Sequence, residues 1–145
     1  MLVVEAMTRG YQRVQPSDSI RTAARRMLER DIGMLLVEQA AGEVCGIITD
    51  RDITCRAAAD GKGADTPVAE CMSSGLISCR TEDDIYDAAE LMKREQVRRL
   101  LVRDLNGKPV GVLSQGDVAQ AIASYGLASE MVEAISQPGG KHAQH

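Results

Sequence analysis

Gly46-Ile47-Ile48-Thr49-Asp50-Arg51-Asp52-Ile53 and Gly111-Val112-Leu113-Ser114-Gln115-Gly116-Asp117-Val118 are two versions of one phrase, the second beginning 65 residues after the first. Each runs from a glycine through two apolar residues to a hydroxyl residue, with an aspartate three positions further on. The same offset lays Leu35-Leu36-Val37 over Leu100-Leu101-Val102 and Glu5-Ala6-Met7-Thr8 over Glu70-Cys71-Met72-Ser73, with no gap between them. Roughly a quarter of the aligned pairs are identical, and many others are close swaps such as Ile32/Val97 and Ile47/Val112. The chain therefore holds two copies of one supersecondary unit. A unit of about 60 residues buries too little surface to be more than marginal alone, so the copies are expected to share a core.

Within each copy the apolar spacing switches between two periods. Ile20, Ala23, Ala24, Met27 and Leu28 recur at helical spacing, as do Ile85, Ala88, Ala89, Leu91 and Met92. Ser17 or Asp18, and Asp83, are the expected N-caps. Met34 to Val37 and Val44 to Ile48 read as strands joined through Ala41-Gly42, and Leu100 to Val102 and Val110 to Leu113 as their counterparts, joined through Asn106-Gly107. A short helical lead-in (Val3 to Met7; Val68 to Met72) and a brief extended piece (around Val14; Ile77 to Cys79) precede the first helix. A second helix follows, from Asp50 to about Ala59 and from Gln115 to about Ser124. This order predicts an α/β fold, an α+β sandwich of two βαββα repeats packed with pseudo-twofold symmetry. The first repeat is placed at residues 1–64. The second is placed at 65–136, with a closing helix after Gly126 that carries Leu127, Met131, Val132 and Ile135. Residues 137–145 read as a disordered tail.

With 44% hydrophobic and 26% charged residues among 145, the composition is globular. Three Tyr, no Phe and no Trp leave almost no platform for stacking nucleobases of a single strand, and a net charge of −4 argues against nucleic acid or an anionic membrane as partner. No apolar run approaches a bilayer span, and Met1-Leu2-Val3-Val4-Glu5 has no signal-peptide character, so a cytoplasmic location is expected. Cys45, Cys55, Cys71 and Cys79 lack Cys-x-x-Cys spacing and read as small buried thiols. No metal site and no catalytic cofactor are expected.

The repeated phrase carries the candidate chemistry. A strand that runs into a helix leaves the helix's first N–H groups unpaired, with the positive end of the dipole behind them, and such a place binds phosphate. Thr49 or Ser114 can add a hydroxyl, and Asp52 or Asp117 offers two acceptor oxygens suited to the vicinal hydroxyls of a ribose. The glycine permits a close backbone approach. The same spacing also resembles a capping box, which would simply start two helices.

Together these features resemble a tandem CBS domain pair, the module named after cystathionine β-synthase, from Val3 to about Ser124. The resemblance implies a pair of repeats that binds an adenosine-containing ligand (AMP, ADP, ATP, NAD or S-adenosylmethionine) in the clefts between them. It also implies phosphate contacts by Thr49 and Ser114, with Asp50 beside the first, ribose contacts by Asp52 and Asp117, and a base pocket lined by Val14 and Pro16 or by Cys79 and Thr81. Two departures stand out: Leu36 and Leu101 replace the proline common on the middle strand, and Gln115-Gly116 replaces Asp50-Arg51. Arg98 and Arg99 precede that strand in the second copy and are candidates for phosphate contact, as is Arg51. Because strand neighbours point to opposite faces, at most one of Arg98 and Arg99 is expected to face the cleft.

The function implied is a regulatory module that binds without catalysis and passes its ligand state to an effector protein or to a second copy of itself. A homodimer is expected through Ile53, Ala57, Ala58, Val118, Ile122 and Ala123. Two other readings remain: a structural dimerisation module with empty clefts, and a nucleotide-processing enzyme with Asp52 or Asp117 as general base. Against the enzyme stands the confinement of both histidines, His142 and His145, to the tail.

Overall fold

The computed structural model describes residues 1–136, with side chains to Gly126. Two sheets form, one per repeat. The first has the order β2-β3-β4, with β2 (Arg13–Val14) parallel to β3 (Met34–Ala40) and β3 antiparallel to β4 (Glu43–Thr49). The second repeats that pattern with β5 (Ser78–Arg80), β6 (Arg99–Arg103) and β7 (Pro109–Ser114), and adds β1 (Thr8–Arg9) beyond β7. Residues 42 and 107 turn the two hairpins with φ of 79° and 81°, a conformation that favours the glycine found at both.

Helix α2 (Ile20–Arg30) covers the first sheet and α4 (Ile85–Glu95) the second, burying Ile20, Ala23 and Met27, and Ile85, Ala88 and Met92. Their N-caps lie one residue beyond the expected ones. Ser19 accepts the Thr22 N–H at 3.1 Å and Asp84 the Tyr86 N–H at 2.8 Å. Asp18 and Asp83 instead accept from Gln15 and Arg80, closing the turn before each helix. Both helices end on a left-handed residue, Asp31 or Gln96.

After β4 the chain makes one α-helical turn, α3 (Asp50–Asp52), and continues as a π-helical segment, Ile53–Ala58. After β7 it forms a single helix, α5 (Gln115–Ser136), so the expected break at Gly126 does not occur. The tail expected at 137–145 lies outside the described residues.

The lead-in segments, helix α1 (Val3–Ala6) and a 3-10 turn (Val68–Glu70), are exchanged. Val3 and Met7, ahead of the first repeat, lie in the second repeat's core with Ile85, Leu100, Val102 and Leu113. Val68 and Cys71 lie in the first repeat's core with Ile20, Leu35, Val37 and Ile48. The backbone shows the same symmetry. Val3 N donates to Asp83 O at 2.8 Å and Val4 N to Thr81 O at 3.0 Å, while Val68 N donates to Asp18 O at 2.7 Å and Ala69 N to Pro16 O at 3.0 Å. Between the sheets Leu36, Ile47, Leu101 and Val112 form a third cluster made of two offset-related pairs. Each fully buried side chain of this kind contributes about 1.5–3 kcal/mol, so neither repeat is independent of the other.

Candidate ligand site between the repeats

The glycine of each phrase makes room for the exchanged segment. Thr8 and Arg9 (β1) pair antiparallel with Val112 and Gly111, and a Cβ at Gly111 would run into the Thr8 carbonyl. In the other copy Ser73 and Ile47 exchange two backbone hydrogen bonds of 2.9 Å, and a Cβ at Gly46 would lie 2.5 Å from Ser73 O.

Both phrases form complete capping boxes. Thr49 Oγ1 accepts from Asp52 N at 3.1 Å while Asp52 Oδ2 accepts from Thr49 N at 2.9 Å. Ser114 Oγ accepts from Asp117 N at 3.0 Å and Asp117 Oδ2 from Ser114 N at 3.0 Å. The capping alternative is thus realised, and it leaves one carboxylate oxygen of each aspartate outside the box.

Around Ser114 and Asp117 the two repeats enclose a cavity of about 460 Å³. One wall is the stretch Thr8 to Gln12, another is Ile32 and Met34 of the first repeat, and Arg99 and Val112 complete it. Its volume falls in the range of small-molecule sites. The Thr8 hydroxyl reaches Asp117 Oδ2 at 3.5 Å. Arg99 lies opposite Ser114 in the β6–β7 register and is half-buried, and its offset counterpart Met34 lies opposite Thr49. Among the described residues Arg99 makes no ion pair, so its charge is free for a ligand.

The remaining candidates are placed differently. Arg98 is exposed and contributes its carbonyl to Gln115 N at 2.8 Å. Asp50 and Arg51 are exposed, with Asp50 Oδ1 accepting the Arg51 N–H at 2.8 Å, and neither lines the cavity. Val14 and Cys79 are 2% and 5% exposed and belong to the repeat cores. Burial first, and the Asp83 carboxylate second, push the Cys79 thiol up to about 11. Pro16 and Thr81 are half-buried beside the exchanged segments that bond to their carbonyls. None of these four lines the cavity. Gly10, Tyr11 and Gln12 take that wall instead, because strand pairing turns Val14 inward against its core.

Sequence reasoning missed Thr8, Arg9, Tyr11, Gln12, Ile32 and Met34 as lining residues. The one signal for them was the hydroxyl shared by Thr8 and Ser73 after each Met. Tyr11 donates to Glu38 at 3.3 Å, and its pKa is raised by burial and then by that carboxylate. Cys55 is exposed, contrary to the expectation of buried thiols, because it lies on the outer side of the π-helical segment. Ala57 and Val118, expected on a dimer face, are packed in the monomer's cores. Among the described residues no group of His, Cys, Asp and Glu forms a metal cluster, and no helix is long and apolar enough to cross a membrane.

The CBS domain family model matches residues 3–57 and 68–124. The chain belongs to the CBS domain family. This CBS pair is 39% identical over 118 residues to a CBS domain-containing protein of Bacillus subtilis, covering 81% of this chain and 82% of the relative. Its fold is similar to that of a conserved protein from Pyrococcus horikoshii, with a TM-score of 0.73 at 30% identity over 83% of this chain and 91% of that one. It is also similar to a CBS domain protein from Pyrobaculum aerophilum complexed with AMP, with a TM-score of 0.71 at 25% identity over 86% and 99%. The tandem repeats of the sequence are thus two CBS domains, and the cavity lies between them.

Proposed function

We propose that this CBS pair is a regulatory module that binds an adenosine-containing ligand in the Ser114–Asp117 cleft, without catalysis. The observation that carries the reading is the convergence, on one cavity, of a long helix's N-terminus, the Ser114 hydroxyl, the Asp117 carboxylate and the unpaired Arg99 guanidinium. The N-terminus and Arg99 suit phosphate, and Asp117 Oδ1 suits ribose hydroxyls. The AMP bound by the Pyrobaculum protein supports the same ligand class. Arg9 and Arg99 favour the phosphate-bearing members, AMP, ADP, ATP and NAD, over S-adenosylmethionine, whose sulfonium is cationic.

Binding without turnover is supported by the use of Asp117 in the capping box, where it accepts from Ser114 N and from the Thr8 hydroxyl, and by a cavity lining that holds no second carboxylate, His or Cys among the described residues. A homodimer fits the exposed apolar side chains Leu28 and Ile122, and binding would then be read out by the partner copy or an effector protein in the cytoplasm.

Equilibrium dialysis with AMP, ATP, NAD and GMP tests the reading. Adenosine nucleotides are expected to be retained and GMP not. Retention of none of them leaves the structural dimerisation module, and turnover of any of them leaves the enzyme.

A further inference from the structure

The two phrases share one pattern, yet Arg56 treats their aspartates differently. Four residues after Asp52 on the π-helical segment, its Nε lies 3.9 Å from Asp52 Oδ1. Its Nη1 donates to the Met72 carbonyl at 3.1 Å. The guanidinium therefore bridges the carboxylate of the first phrase and the exchanged lead-in that pairs with it at Ser73. In the second phrase the same place holds Ala121. There the lead-in reaches the aspartate with the Thr8 hydroxyl, and Asp117 Oδ1 makes no hydrogen bond among the described residues.

Backbone geometry sharpens the difference. Ile53–Ala58 is π-helical, whereas its counterpart Val118–Ala123 is regular α-helix within α5. Ala59 N bonds to Thr54 O at 3.0 Å and Lys62 N to Ala57 O at 2.9 Å, both five residues back. In the β3–β4 register Met34 lies opposite Thr49, where Arg99 lies opposite Ser114 in the other copy, so the first phrase has no corresponding cation at that position.

We propose that Arg56 is a built-in plug, a specificity-determining residue that pairs with the Asp52 oxygen left outside the capping box and leaves the Ser114–Asp117 cleft as the ligand site of the chain. The proposal rests on the adenosine reading above. A ribose that reaches Asp52 Oδ1 must displace the 3.9 Å ion pair and the carbonyl bond that holds Arg56, whereas at Asp117 Oδ1 it meets an acceptor with no hydrogen bond among the described residues. One CBS pair then carries one working aspartate and one that is paired within the chain, and pseudo-twofold symmetry of sequence does not produce twofold binding.

The test is calorimetric titration of the full chain with AMP, comparing wild type, R56A, D117N and the R56A/D117N double variant. Arg56 takes no part in the capping box, so R56A is expected to fold, which its unliganded Tm checks. Wild type should show a single class of sites that D117N abolishes. R56A should roughly double the stoichiometry, and the double variant should keep the newly opened class. Stoichiometry unchanged or lowered in R56A overturns the plug while leaving the adenosine reading intact, because wild type still binds. No AMP binding by either wild type or R56A overturns both.

Discussion

The Thr8 hydroxyl donates to Asp117 Oδ2 at 3.5 Å, across 109 positions of sequence. Thr8 belongs to a lead-in whose neighbours Val3 and Met7 are buried in the second repeat's core, and Asp117 starts that repeat's last helix. The cleft is therefore held from both sides by one packing arrangement. A ligand that touched Asp117 would also lie beside β1, the lead-in strand that pairs with β7.

Changing Asp117 to Asn should separate binding from capping. Asn keeps an acceptor for Ser114 N, so the unliganded Tm should move little. AMP at one hundred times Kd should raise the wild-type Tm by roughly 5 to 11 °C, from about 2.7 kcal/mol of binding. D117N should lose most of that shift. Asp117→Ala should in addition lower the unliganded stability by about 0.5–2 kcal/mol through loss of the cap. Scanning calorimetry with and without AMP checks both. An intact AMP shift in D117N removes this aspartate from the site.

Arg99→Met transplants the residue that stands at the equivalent place in the first repeat. Loss of a charged hydrogen bond costs about 1.5–3 kcal/mol, so AMP affinity should fall by roughly tenfold to a hundredfold. Adenosine, which lacks phosphate, should be nearly unaffected. Titration of both ligands against both proteins decides it, and equal losses would falsify phosphate contact by Arg99.

Gly111→Ala should disturb the β1–β7 pairing, because the new methyl meets the Thr8 carbonyl. Overpacking of this kind costs about 1–3 kcal/mol. Displacing Thr8 should also weaken AMP binding. Gly107→Ala, with nothing within 4 Å of its added carbon but a φ of 81°, is the comparison, since it strains a hairpin without touching the cleft. Urea unfolding and AMP titration on the two variants should show comparable destabilisation but a binding defect only in G111A.

Cys79 gives the fold an alkaline limit. Its folded pKa of about 11 lies above the ordinary 9.0, so between these values the unfolded chain has released a proton that the native chain keeps. The unfolded state binds fewer protons, and stability falls as pH rises from about 9, by about 2 kcal/mol at pH 11; below pH 9 the thiol contributes nothing to the slope. Unfolding free energies at pH 8, 9, 10 and 11 should show a shallower decline in C79A than in wild type. Parallel declines would assign the alkaline loss to other groups.

Much of this molecule is legible along the chain. The offset of 65 residues, the helical spacing of Ile20 to Met27 and Ile85 to Met92, the strands at Leu35 to Val37 and Leu100 to Val102, and the turn at Asn106-Gly107 all report local burial patterns. A residue's alternation between core and solvent is set within a few neighbours. The phrase at Thr49 and Ser114 was legible for the same reason, since a strand leading directly into a helix is a local event.

What the chain alone did not decide is non-local. Val3 to Met7 and Val68 to Met72 have the same pattern, and each would fit either repeat, because the two receiving cores are nearly alike. Only packing the whole chain assigns each to the other repeat, and with that assignment come the Thr8 contact to Asp117 and the reach of Arg56 to Met72. The sequence determined that there are two equivalent units with a phosphate- and ribose-suited phrase in each. The tertiary structure decided which surfaces meet, and so made the two units unequal, because contacts between segments distant in sequence depend on the closure of the whole core rather than on any local period.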